Sequence, residues 1–182
     1  MSIARNLFSK RMFSTSQLCR LDVIPSVPLF SGTPDNKFEL AKELENTRAI
    51  VVGVPGAFSG GCTNTHIPGY LKTAPDFFAK GYHKIYFVSV NDVFVMNAWK
   101  TQLLNTINNV ENYEFLADPT GEFSKTAGLL FDATALFGNF RSKRYALVLD
   151  HGKVIKEFVE PDNTSITISA AANVLHEAPG LE

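Results

Sequence analysis

Cys62 is the residue of this chain best placed to do chemistry. It ends the run Pro55-Gly56-Ala57-Phe58-Ser59-Gly60-Gly61-Cys62. An apolar, β-branched stretch, Arg48-Ala49-Ile50-Val51-Val52-Gly53-Val54, precedes that run, and a helix-like stretch from Thr63 to Lys80 follows it. A cysteine at such a strand-to-helix turn lies in the first turn of the helix. Unpaired N–H groups and the positive dipole end favour a thiolate there, and the thiolate is the nucleophilic form. His66 stands four residues on, on the same helical face. A cysteine–histidine pair of the protease type is one reading of it; a supporting or pocket position is the other. His83, His151 and His176 have no metal-ligand spacing with Cys62 and read as surface residues. The pair Gly60-Gly61 suggests a phosphate cradle only weakly, because no Lys-Ser/Thr follows it.

Pro-x-x-x-Ser-x-x-Cys, as Pro55, Ser59 and Cys62, resembles the active-site signature of peroxiredoxins. The longer run Val54 to Phe58, then Cys62, His66, Pro68 and Gly69, is similar to the peroxiredoxin 5 (type II) subfamily. So are Ser89-Val90-Asn91-Asp92, Trp99, Ala117-Asp118-Pro119-Thr120-Gly121 and Phe137-Gly138-Asn139. The resemblance extends from about Val23 to the C-terminal helix. It implies a thiol peroxidase in which Cys62 attacks a peroxide oxygen and becomes sulfenic acid. The family's active-site arginine falls on Arg144, with Arg141 and Lys143 as the alternatives for the inward residue. Arg144 would supply a permanent cation and fork-like donors. Ser59 would hydrogen-bond the thiolate or the peroxide, and backbone N–H groups near Gly61 and Cys62 would add donors. Pro55 would shape the loop and shield the sulfenate from water. His66 takes a supporting position in the pocket. A homodimer packed near the active-site loops is implied, and no cofactor is.

The chain departs from that pattern in two places. Many members carry Thr where this chain has Ser59, and either hydroxyl donates and accepts. Two-cysteine members carry a resolving cysteine late in the chain, in a segment matching Ser165 to Ser169. Here the matching residue is Ile168, and no cysteine follows Cys62. The sulfenate then needs an outside thiol: glutathione with glutaredoxin, or thioredoxin. Two other classes stay open, a non-catalytic subunit of this fold and a redox relay that hands its oxidation to a partner.

At 182 residues, with 45% hydrophobic and 19% charged, the chain is expected to form one globular domain. Residues 1–20 stand apart. They hold Arg5, Lys10, Arg11 and Arg20, several serines and no acid, with Ile3, Leu7, Phe8 and Met12 spaced for a basic amphipathic helix. That composition predicts a mitochondrial transit peptide and the matrix as destination. Arg11 to Ser16 resembles a two-step processing site, which predicts a mature chain from Leu21 and removal of Cys19. The remaining 21–182 domain has 13 basic and 18 acidic residues, a formal charge of −5. An acidic balance argues against nucleic acid as a partner, and no apolar stretch is long enough to span a membrane.

Strands are predicted at Ile50–Val54, Lys84–Val90 and Tyr113–Ala117, and short helix at Phe38–Leu44. A helix from Thr63 to Lys80 is kinked near Pro68, and a second runs from an Asn91 or Asp92 cap to about Asn105. Arg141–Leu149 and Lys153–Val159 form a hairpin across Asp150-His151-Gly152, and Ser165–His176 a closing helix. Strands that alternate with helices and then end in a hairpin and helix predict an α/β, thioredoxin-like fold with a central mixed β-sheet. In such a fold Ser59 takes the place of the first cysteine of Cys-x-x-Cys, so dithiol exchange within the loop is excluded.

Overall fold

A computed structural model describes residues 21–181. The expected leader, its Cys19 and the processing site fall outside those residues. The centre of the fold is β3, Arg48–Val54, buried along its whole length. Lys84–Ser89 (β4) lies parallel to β3, and Tyr113–Ala117 (β5) parallel to β4. Tyr145–Asp150 (β8) pairs antiparallel on the other side of β3, and Lys153–Val159 (β9) pairs with β8. Leu29–Phe30 (β1) and Lys37–Phe38 (β2) complete a mixed sheet ordered β2-β1-β5-β4-β3-β8-β9.

Alternation along β3 divides two cores. Ile50, Val52 and Val54 face Tyr70 and Phe77 of α2 (Ile67–Ala79), Met96 and Trp99 of α3 (Val93–Leu104) and Val174 of α5 (Ala171–Glu177). Ala49 and Val51 face Leu40 and Leu44 of α1 (Leu40–Leu44) and Phe123 of α4 (Glu122–Thr126). Cover on both faces is why these strands read as unbroken apolar runs. Gly53 is required by packing. A Cβ there would lie 2.0 Å from Cε1 of Tyr145, its cross-strand partner, whose ring is fully buried.

Three expected elements differ in detail. The run Arg141–Leu149 is two strands. Phe140–Ser142 (β7) pairs with Leu130–Asp132 (β6) in a separate two-stranded sheet, and only β8 joins the main one. Between them the backbone N–H of Lys143 donates to Leu129 O and that of Arg144 to Asn163 O, so loops replace a sheet partner. The closing helix begins at Ala171, later than expected. Residues 162–169 form an irregular strap because carboxylates capture the N–H groups a helix would use. Asp162 accepts from the N–H groups of Thr164 and Ser165, and Glu160 from those of Thr167 and Ser169.

The third difference is at Cys62 itself. Residues 62–66 form one wide π turn, in which the N–H of Ile67 reaches back to Cys62 O. Pro68 follows in the first turn of α2. It has no N–H to offer the carbonyl four residues back and its ring crowds that position. The turn widens where a kink was expected.

Candidate active site

The site lies beyond the C-terminal end of β3. Residues 55–59 leave the strand, and the helix begins at Gly60, which puts Cys62 in its first turn. Asn91 Oδ1 accepts from the Ala57 N–H at 3.0 Å and from the Ser89 hydroxyl at 2.8 Å, tying this loop to the end of β4. Asp92, the other candidate cap, accepts the Val95 N–H and starts α3. Phe58 is held at φ 61°, a region bulky residues seldom adopt, with its ring half exposed 6.3 Å from Trp99. The Trp99 indole N–H donates to Thr63 Oγ1 at 3.1 Å, next to Cys62.

Arg144 is the inward cation. It is 4% exposed and lies where the chain crosses from β7 to β8. Its donors can be accounted for one by one. Nε donates to Thr164 O at 2.8 Å, and Nη1 lies 3.4 Å from Cys62 Sγ and 3.2 Å from His66 Nδ1. Of five N–H bonds, the two on Nη2 have no protein partner among the described residues. A Cβ on Gly61 would come within 3.4 Å of Nη2 and 3.5 Å of Ile166 Cδ1. Gly61 has ordinary helical backbone, φ −66°, so what it contributes is open space beside Nη2. Arg141 points elsewhere: Nη1 donates to Val90 O and the guanidinium stacks on Phe137. Lys143 bonds Gly128 O at the surface.

His66 lies against Arg144, and Ser59 stands three residues before Cys62 at the start of the turn. The Ser59 hydroxyl donates to Gly56 O at 2.9 Å, so its remaining capacity is as an acceptor. Pro55 is buried at the start of the loop. His66 is 1% exposed and sits behind the guanidinium. Arg144 only donates, so Nδ1 must be the bare nitrogen and Nε2 must carry the hydrogen. Nε2 lies 3.0 Å from Ser169 O and 3.2 Å from Ser169 Oγ. Burial first, and the Arg144 charge second, push the His66 pKa down to about 4. The imidazole is neutral at physiological pH, and its basic nitrogen is occupied.

Glu160, just before the strap, and Asn163, Thr164, Ile166 and Ser169 within it join the site without a motif in the sequence to mark them. Glu160 is buried, yet four hydrogen bonds from Thr167 and Ser169 meet its carboxylate at 2.6–2.9 Å. Burial alone would raise its pKa; those bonds outweigh it and hold the group below the usual carboxylate range. The signal was in the composition: an acid before Pro161, then Asp162-Asn163-Thr164-Ser165, is capping and turn chemistry. Ile168 is 38% exposed on the same strap. His83, His151 and His176 are exposed and take no part in the hydrogen bonds of this cluster; His151 and His176 pair with their neighbours Asp150 and Glu177. Among the described residues no group of three His, Cys, Asp or Glu could hold a metal, and no helix is long and apolar enough to cross a membrane.

The arrangement is a sulfur at a helix N-terminus, an unneutralised guanidinium against it, and free donors beside an open space. It suits attack by a thiolate on a small polar molecule whose leaving oxygen takes up charge. Comparison with known proteins agrees. A match to the Redoxin family covers residues 22–175. The chain is 42% identical over 152 residues to peroxisomal membrane associated protein 20 of Schizosaccharomyces pombe, covering 84% of this chain and 94% of that one. Among solved structures, reduced Prx3 of Vibrio vulnificus in complex with H2O2 superposes with a TM-score of 0.78 at 33% identity, over 88% of this chain and 98% of that one. Peroxiredoxin 5 of Alvinella pompejana gives 0.73 at 34%, over 86% and 94%. This chain therefore belongs to the Redoxin family, as a thioredoxin-fold peroxiredoxin and a thiol peroxidase.

Proposed function

We propose that the protein reduces hydrogen peroxide and alkyl hydroperoxides at Cys62 by a one-cysteine cycle that an outside thiol completes. The observation that carries this reading is Arg144 Nη1 at 3.4 Å from Cys62 Sγ in the first turn of a helix. The guanidinium and the helix N-terminus both favour a charged sulfur. The peroxide enters the space left by Gly61, where the two Nη2 hydrogens meet its oxygens. Ser59, whose own proton goes to Gly56 O, accepts the peroxide hydrogen. The thiolate attacks the nearer oxygen, the O–O bond breaks, and the electron pair leaves with the far oxygen. Cys62 becomes sulfenic acid, and the alkoxide or hydroxide takes a proton from water.

Resolution then falls to a second molecule. Its thiol attacks the sulfenic sulfur, water leaves, and a mixed disulfide forms; another thiol restores Cys62. Glutathione with glutaredoxin, or thioredoxin, fits this step. Ile168 at the position of the family's resolving cysteine supports it. In the test, reduced full-length protein receives one equivalent of peroxide and then glutathione, with intact mass read after each addition. Gain of one oxygen, then of one glutathione, is expected. An internal Cys19–Cys62 disulfide would overturn the one-cysteine cycle, and a product bearing no thiol adduct would remove glutathione as donor.

Two further readings belong to the same proposal. Phe58 in the loop before Cys62, Phe94 in the first turn of α3, Leu136 in the short helix Thr134–Phe137 and Phe140 at the start of β7 are large exposed apolar residues. The Phe137 ring lies where a Cβ on Gly56 would meet it, and Arg141 ties the same segment to Val90. A monomer seldom leaves such a surface bare, and a second copy is the occupant we assign. Sedimentation should give a dimer that Phe94→Glu dissociates. The basic, acid-free residues 1–20 support delivery to the mitochondrial matrix. A fluorescent fusion without them should stay out of mitochondria.

A further inference from the structure

Arg144 carries the chemistry, but it does not hold itself in place. Its Nη1 has two hydrogens, and the structure spends one on Cys62 Sγ and the other on His66 Nδ1. We infer that His66 is the positioning residue that turns Arg144 onto Cys62, and that Ser169 and Glu160 fix His66 in the one tautomer able to do so. This rests on the peroxidase reading above and adds to it a residue chain, Glu160–Ser169–His66–Arg144.

The argument is one of acceptor chemistry. A guanidinium in a buried site needs acceptors for its hydrogens, and an unmet buried donor is costly. A carboxylate at position 66 would satisfy Nη1, but it would also neutralise the arginine and take away the cation the sulfur needs. A protonated imidazole would repel it. A neutral imidazole with a bare Nδ1 orients the guanidinium and leaves its charge free. That tautomer is imposed from the far side. Ser169 O accepts from the Tyr70 hydroxyl at 2.6 Å and lies 3.0 Å from His66 Nε2. Ser169 is itself anchored, with N–H and Oγ–H both donating to Glu160 Oε1 at 2.9 and 2.8 Å. The groups that face His66 are Cys62 on its own helix, Tyr70 from α2, Arg144 from the start of β8, and Glu160 through Ser169 from the strap.

The test uses full-length protein and two variants, His66→Leu, which removes the acceptor, and His66→Asn, whose Oδ1 offers one near the Nδ1 position. Two quantities are read: the rate of Cys62 oxidation by hydrogen peroxide, and the pH profile of its alkylation by iodoacetamide. Thermal unfolding establishes that each variant is folded. His66→Leu is expected to oxidise at least tenfold more slowly, with its alkylation profile displaced to higher pH. His66→Asn is expected to recover most of both losses. A packing role alone would leave the alkylation profile in place. Wild-type rate and profile in His66→Leu would overturn the inference, as would an Asn variant no better than the Leu variant at equal thermal stability. Should His66→Leu not fold, Ser169→Ala removes only one contact to Nε2 and one to Glu160. It is expected to shift both readouts in the same direction by a few-fold, and no shift would overturn the inference. If the wild-type protein itself oxidises no faster than a free thiol, the peroxidase reading fails instead, so the two failures are distinguishable.

Discussion

Acid should unfold this protein earlier than its carboxylates require, and His66 is the reason. The imidazole titrates near pH 4 in the folded chain against 6.5 for an ordinary histidine, chiefly through burial and then through the Arg144 charge. Between those values the unfolded chain binds a proton that the native state refuses. Stability therefore rises with pH across the window and is lost as pH falls through it. One pKa unit is about 1.36 kcal/mol, so the whole shift is worth roughly 3 kcal/mol, and about 2 kcal/mol of it is lost between pH 7 and pH 5. Glu160 also loses stability in acid, because its folded pKa is depressed. Its window opens only below the ordinary carboxylate value of about 4.3, so pH 5 isolates the histidine. Urea unfolding of wild type and His66→Asn at both pH values measures the term, since groups common to both cancel in the difference. The stability gap between the two proteins should narrow by about 2 kcal/mol on going from pH 7 to pH 5. A gap independent of pH would mean that His66 takes up its proton in the folded state, and the neutral-acceptor argument would fall with it.

Arg144→Lys keeps the charge but loses the fork. One ammonium cannot meet Sγ, His66 Nδ1, Thr164 O and a peroxide together, so the rate of Cys62 oxidation should fall about 10²-fold; stopped-flow measurement showing less than a tenfold loss would count against the donor accounting. Gly53→Ala drives a methyl group into the buried Tyr145 ring and should cost about 3 kcal/mol in chemical unfolding, with partial rescue by Tyr145→Leu. Trp99 is the single tryptophan and donates to the residue beside Cys62. Its fluorescence should change when peroxide oxidises the wild type and stay constant in Cys62→Ser.

The core strands were legible in the sequence because each is covered on both faces and so reads as a continuous apolar run. The hairpin across Asp150 to Gly152 and the cap at Asp92 were legible for local reasons, turn chemistry and a side-chain acceptor before a helix. Cys62 at a helix start followed from the same local logic. What the sequence concealed depends on partners distant along the chain. The break between β7 and β8 exists because Arg144 bonds Asn163 and Thr164 of the strap. No local pattern distinguishes that from one long strand. Residues 165–169 read as the first turn of the closing helix because nothing local marks a later start; Glu160 and Asp162 decide the matter by capturing the N–H groups of Thr164, Ser165, Thr167 and Ser169. For Ser59 the sequence implies a hydrogen bond to the thiolate or the peroxide but does not show that its proton goes to Gly56 O, a bond set by how tightly the loop turns, which leaves it the acceptor's part.

The most direct test of the account is the fate of Cys62 in the first seconds of exposure to peroxide. Reduced full-length protein is mixed with one equivalent of hydrogen peroxide, without any thiol, and quenched from milliseconds to seconds for intact mass. The account predicts rapid gain of a single oxygen atom, located on Cys62 and absent from Cys62→Ser on that timescale. Oxidation at the rate of a free cysteine in water would contradict it, because the helix end, the guanidinium and the open space beside Nη2 would then be conferring nothing on the sulfur.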